Sequence, residues 1–171
     1  MKTRIALFFA LAFIPCGTPL SRANEKETAA ILRAEGLGAL HLGMLEKEVR
    51  EFLGTPAKQT ALTLQGADGL YVQEWRYPAR GISLTMSTGE TKKGAKTVVR
   101  FEAAAPCQLA TRRGIKIGSA ESAVRKAYAA IADRETPAAP GTFIAGSIFG
   151  GIIFNFADGK VSHILFGAGA E

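Results

Sequence analysis

Two histidines and two cysteines are the chain's whole stock of imidazole and thiol chemistry, and their spacing argues against concerted use. His41 stands between Leu40 and Leu42 with no second histidine or acid at ligand spacing. An alternating segment there turns it to solvent rather than onto a metal. His163, between Ser162 and Ile164, is equally without a ligand set. Cys107 has no nearby histidine to activate it, so a buried, inert thiol is expected. The run Gly146-Ser147-Ile148-Phe149-Gly150-Gly151 invites two further tests. A nucleophile elbow needs glycine two residues before the serine, where Ala145 stands. A phosphate loop needs Lys followed by Ser or Thr after its last glycine, where Ile152 stands. A bulged or flexible sheet edge is the expectation instead. No catalytic residue, metal site or cofactor is assigned from the sequence, and the reading is of a protein that is not an enzyme. Lys92, Lys93 and Lys96 mark a basic loop tip, read as solvated.

The N-terminus bears on the compartment. Lys2 and Arg4 precede an apolar run, Ile5–Ile14, which Pro15, Gly17 and Pro19 terminate, and Ser21-Arg22-Ala23 places small residues where a signal peptidase reads them. The run falls short of the roughly 20 residues a bilayer span requires. Cleavage is expected after Ala23, giving a periplasmic or secreted protein with no transmembrane span in its mature form. A lipid anchor at Cys16 is the competing expectation, poorly served by Pro15 just before it. Cleavage would discard Lys2, Arg4 and Arg22, half of the +6 surplus, so the basic balance supports no nucleic-acid partner. It would also remove Cys16, leaving Cys107 without an intramolecular disulfide partner, so the fold must depend on packing.

The remainder reads as one unit written twice. At one fixed offset Leu40 aligns with Ile115, Leu42 with Ile117, Gly43 with Gly118, Glu46 with Glu121, Val49 with Val124 and Arg50 with Arg125. Each copy runs from alternating apolar residues through a glycine into a helix. Leu45, Val49, Phe52 and Leu53 are expected on one face of the first helix, and Val124, Ala127, Tyr128 and Ile131 on that of the second. Ser119 is the expected cap of the second helix. Gly81–Met86 is answered by Gly151–Phe156, and Val98–Phe101 by Val161–Ile164. The connection between these strands is the polar loop Thr88–Lys96 in the first copy and the tight turn Asp158-Gly159-Lys160 in the second. Tyr71–Tyr77 adds a strand, with a glycine-rich counterpart near Thr142–Ile148, and Glu25–Ala34 reads as an opening helix. The expected class is α+β, two tandem repeats of helix-loop-helix plus antiparallel sheet with the helices on one face. The expected division is a signal at 1–23, a first repeat at 24–102 and a second at 103–171, with Ala103-Ala104-Ala105 as the link.

The segment Leu40-His41-Leu42-Gly43-Met44, Glu48-Val49, Leu53-Gly54-Thr55-Pro56 resembles the G-M-x-x-x-x-V-x-x-x-L-G-x-P signature of small outer-membrane assembly lipoproteins. The tandem arrangement is similar to the β-lactamase-inhibitory protein family, with two helix-loop-helix units each followed by a four-stranded sheet. The resemblance covers nearly the whole mature chain and implies a scaffold for gripping other exported proteins. That family carries disulfides and several tryptophans on its concave surface, whereas this chain has Trp75 alone. No inhibitor contact residue is therefore carried over.

The strand faces supply candidate binding residues. Ile82, Leu84 and Met86 alternate with Ser83, Thr85 and Ser87, predicting one apolar and one open face. By the repeat alignment the open face takes Arg100 from the first half and Ile153, Asn155, Val161 and His163 from the second. The apolar members either meet a partner or lie beneath a loop or the neighbouring sheet. Tyr71, Gln73, Trp75 and Tyr77 share one side of their strand. Core packing is expected for them, and if exposed Tyr71, Trp75 and Tyr77 would be a second binding surface. The expected function is a non-enzymatic module that binds another exported or envelope protein. The alternative is an envelope assembly factor.

Overall fold

Alternating apolar residues separated by glycine turns build the sheet. The computed structural model describes residues 30–66 and 69–169. The expected cleavage site, Cys16 and the start of the opening helix lie outside these residues, and residues 30–34 are helical. Among the described residues the strands are β1 (Lys58–Gln59), β2 (Thr63–Leu64), β3 (Tyr71–Tyr77), β4 (Ile82–Gly89), β5 (Thr97–Ala104), β6 (Thr142–Ala145), β7 (Gly151–Ala157) and β8 (Lys160–Gly167). They form one eight-stranded sheet in the order β1-β3-β4-β5-β8-β7-β6, with β2 also on β3. Every pairing is antiparallel. With α1 (Glu46–Leu53) and α2 (Glu121–Ala127) added, the fold is α+β. Among the described residues no helix is long and apolar enough to cross a membrane.

The turns match their chemistry. Asp158 (φ 50°) and Gly159 (φ 69°) make a two-residue hairpin between β7 and β8 with both central residues left-handed, which fits the right-handed strand twist. Gly81 (φ 63°) sits where an added Cβ would meet the Ala104 carbonyl oxygen at 2.2 Å, so no larger residue fits between β4 and the end of β5. Ala103 and Ala104 belong to β5 and pair with Ile164 and His163. The alanine stretch expected to link two halves is thus largely strand, and β5 carries the sheet across that junction.

Each helix is hooked onto a strand by backbone bonds of the same pattern. The Gly43 N–H donates to the Val98 carbonyl (2.7 Å), the Val98 N–H to Met44 (2.9 Å) and the Glu46 N–H to Lys96 (3.0 Å). In the second case Gly118 donates to Val161 (2.8 Å), Val161 to Ser119 (2.8 Å) and Glu121 to Gly159 (2.9 Å). Leu45 caps α1 without a polar side chain, and the Glu48 carboxylate accepts its N–H at 2.8 Å. Being the cap, Leu45 is exposed rather than on the buried face expected for it. The cap of α2 is Ala120, not Ser119, because the Ser119 hydroxyl accepts the Lys116 N–H instead, at 3.0 Å.

Val49, Leu53, Val124, Tyr128 and Ile131 share one buried cluster with Trp75, Leu84, Phe101, Phe154 and Phe166. Trp75 is fully buried, with its indole N–H on the Gln73 side-chain oxygen (2.9 Å) and the Arg50 guanidinium 4.5 Å from its ring. Truncating Trp75 to alanine is expected to cost about 3–5 kcal/mol in denaturant unfolding, and Val49→Ala and Val124→Ala roughly 1–3 kcal/mol each. Leu45→Ala serves as the control, expected within about 0.5 kcal/mol of the parent. A red-shifted, iodide-quenched tryptophan emission from the folded protein would contradict this core.

Candidate functional site

On strands, residues alternating with the core set form the opposite face, and cross-strand register decides which of them meet. Glu74, Thr85 and Arg100 lie in one row, because Glu74 is opposite Thr85 and Thr85 opposite Arg100. A second row crosses seven strands: Lys58, Arg76, Ser83, Glu102, Leu165, Ile153 and Ile144. A third holds Ala104, His163, Asn155 and Thr142.

Side-chain bonds tie these rows together. The Thr85 hydroxyl donates to the Glu74 carboxylate at 2.8 Å. Arg100 donates to Glu102 Oε1 at 2.6 Å, and His163 Nε2 lies 3.2 Å from Glu102 Oε2. Asn155 Nδ2 lies 3.4 Å from His163 Nδ1, and the Thr142 hydroxyl is 3.1 Å from Asn155 Oδ1. Glu102 is the centre of the set. The hydrogen bond from His163, aided by the Arg100 guanidinium and opposed by burial, holds its carboxyl down at about 2. A pit of about 200 Å³ beside it is lined by Glu74, Arg76, Ser83, Thr85, Arg100 and Glu102.

Of the residues expected on this face, Arg100, Asn155 and His163 converge, and Ile153 is half-buried near them. Gly169 crowds the Ile153 side chain, and the Gly169 N–H bonds the Ile148 carbonyl at 2.7 Å, so a loop and the C-terminal stretch pack on that residue. Val161 is corrected: it is 2 % exposed and belongs to the core. The cause is a β-bulge. Asn155 pairs with His163 but Phe156 with Val161, which leaves Ser162 as the extra residue. One inserted residue inverts the alternation, so Val161 and His163 point to opposite faces. An equivalent bulge leaves Val99 extra between Val98 and Arg100. The second candidate surface is not available as one, since Trp75 and Tyr77 are buried and Tyr71 is half-buried beneath Lys92.

Glu102 and Thr142 were missed. Glu102 follows Arg100 by two residues and so shares its face, which the strand pattern alone could have revealed. Thr142 lacks any local signal and comes into line only through pairing with β7.

Elsewhere, His41 is exposed, its Nδ1 on the neighbouring Leu42 carbonyl at 2.9 Å. Cys107 is buried, and burial pushes its thiol up. Among the described residues no group of three or more His, Cys, Asp or Glu side chains could hold a metal ion. A separate cleft of about 940 Å³ is lined by Leu32, Leu42, Ile131, Asp133 and Phe149 among others. One Asp133 oxygen already accepts the N–H groups of Glu135 (2.9 Å) and Thr136 (3.0 Å). The bonded polar rows carry more organised chemistry than this cleft.

A carboxyl held below the 4.5 of an ordinary glutamate stabilises the folded state above that pH and loses the contribution as pH falls towards about 2. Glu102→Gln is therefore expected to be less stable than the parent at neutral pH, the gap closing between about 4.5 and 2. Urea midpoints across that range check it, and a gap independent of pH would contradict the assignment. No protein-family model matches the chain, and neither does any curated protein or solved structure.

Proposed function

We propose that this chain is an exported, non-enzymatic protein-binding module of the bacterial envelope, built as two tandem α/β repeats with the helices on one sheet face. Its other face grips another exported protein. The observation that carries the reading is a pair of bonded polar groups, Glu74–Thr85 and Arg100–Glu102–His163–Asn155–Thr142, half-buried side chains on the sheet face away from the core. Fixed, mutually bonded side chains lose little further freedom on binding, which favours recognition.

The duplication is supported by the matching hooks at Gly43 and Gly118 and by bulges at matching places in β5 and β8. Export is supported by the N-terminal pattern of Lys2, Arg4, the Ile5–Ile14 run and Ser21-Arg22-Ala23.

Two measurements test this. Mass spectrometry of the mature protein from an expressing bacterium is expected to give Asn24 as the first residue, whereas lipid on Cys16 would favour an anchored assembly factor. A photo-crosslinking residue at Thr85 or Ser162 is expected to give a discrete adduct with one envelope protein, and the same residue at Lys47, on α1, none. Equal adducts from both positions would move binding off this face.

A further inference from the structure

Thr142 on β6, Asn155 on β7, His163 on β8 and Glu102 on β5 stand in one line of side-chain bonds of 3.1, 3.4 and 3.2 Å. The chemistry of the four groups restricts how such a line can be wired. An ionised glutamate only accepts, a neutral imidazole has one donor and one acceptor, an amide has one face of each kind, and a hydroxyl serves either way. Glu102, held down at about 2, stays ionised through the pH range in which histidine side chains change charge. It therefore requires the proton on His163 Nε2. In the neutral ring Nδ1 is then an acceptor, Asn155 must aim its NH₂ at it, and the Asn155 oxygen receives the Thr142 hydroxyl.

A proton added at Nδ1 makes both ring nitrogens donors. Asn155 now satisfies the ring only by turning its oxygen towards it. Its NH₂ then faces Thr142, whose hydroxyl must accept. Both wirings leave every group bonded, and they differ by one proton and a half-turn of one amide whose two ends are nearly the same size.

We propose that this line is a proton-set polarity switch on the partner-binding face. With neutral His163, Thr142 donates inward and presents its lone pairs to a partner; with charged His163, it accepts inward and presents its O–H. The proposal rests on the reading of this face as a binding surface. Among the described residues the charged groups paired around His163 are Glu102 and, bonded to it, Arg100, both from β5. On β7 and β6 its neighbours in the row are the uncharged Asn155 and Thr142, and on its own strand the next residue on that face is Leu165. The His163 ring is 27 % exposed, open enough to exchange a proton with solvent.

Long-range ¹H–¹⁵N spectra of the ¹⁵N-labelled protein between pH 5 and 8 test the switch without any partner. His41, the other histidine, is assigned with His41→Gln. The neutral form of His163 is expected as the Nε2–H tautomer. The Asn155 side-chain NH₂ signals are expected to shift with the same midpoint as the His163 ring, and to lose that shift in His163→Gln. An Nδ1–H neutral tautomer, or Asn155 signals that stay fixed while His163 titrates, overturns the switch, and the parent protein decides this even where the variant fails to fold. A switch that operates in a protein capturing nothing through this face would sink the binding reading alone.

Discussion

The antiparallel pairing of β5 with β8 is the constraint on which the rest of this structure depends. It sets Phe101 against Phe166 and Ala103 against Ile164, and so joins two groups of strands into one sheet. The Phe101 and Phe166 rings stack at 4.4 Å and 15° in the middle of the core. On the other side of the same pairing Glu102 comes within reach of His163. A slip of β5 by one residue against β8 would turn Glu102 towards the core and Phe101 out of it. Aromatic burial on one side therefore holds the polar set in place on the other.

The helices reinforce that register from outside the sheet. Gly43 and Gly118 both have positive φ and both donate to the strand residue just before a bulge, Val98 and Val161. The opening segment is tied to the later part of the chain by Glu35, whose side chain is 4 % exposed and bonded to Arg113 at 2.9 Å. Arg113 also stands 5.0 Å from the Tyr128 ring. A buried carboxylate without its partner would be strongly destabilising, so this pair fixes position more than it adds net stability. Burial pushes the Tyr128 hydroxyl far up, opposed by its hydrogen bond with the Thr111 side chain.

Much of this was legible in the chain itself. The strands at Tyr71–Tyr77 and Gly151–Ala157, the tight turn at Asp158-Gly159 and the buried positions Val49 and Val124 follow from local alternation, helical spacing and turn chemistry. Such signals act over a few residues, so they survive whatever the rest of the chain does. The burial of Trp75 was readable for the same reason, being set by its place in an alternating strand.

What the sequence by itself determined, then, is element type, turn type and which side of a regular strand or helix is apolar. Only the tertiary structure decided that β5 and β8 are neighbours, that Ala103 and Ala104 continue a strand, and that Val161 and His163 face opposite ways. Pairing between distant strands depends on packing shared across the whole sheet, and a bulge changes parity with no residue type that announces it. The line from Thr142 to Glu102 is therefore a property of register, written in residues far apart in the chain and joined only when the sheet closes over its core.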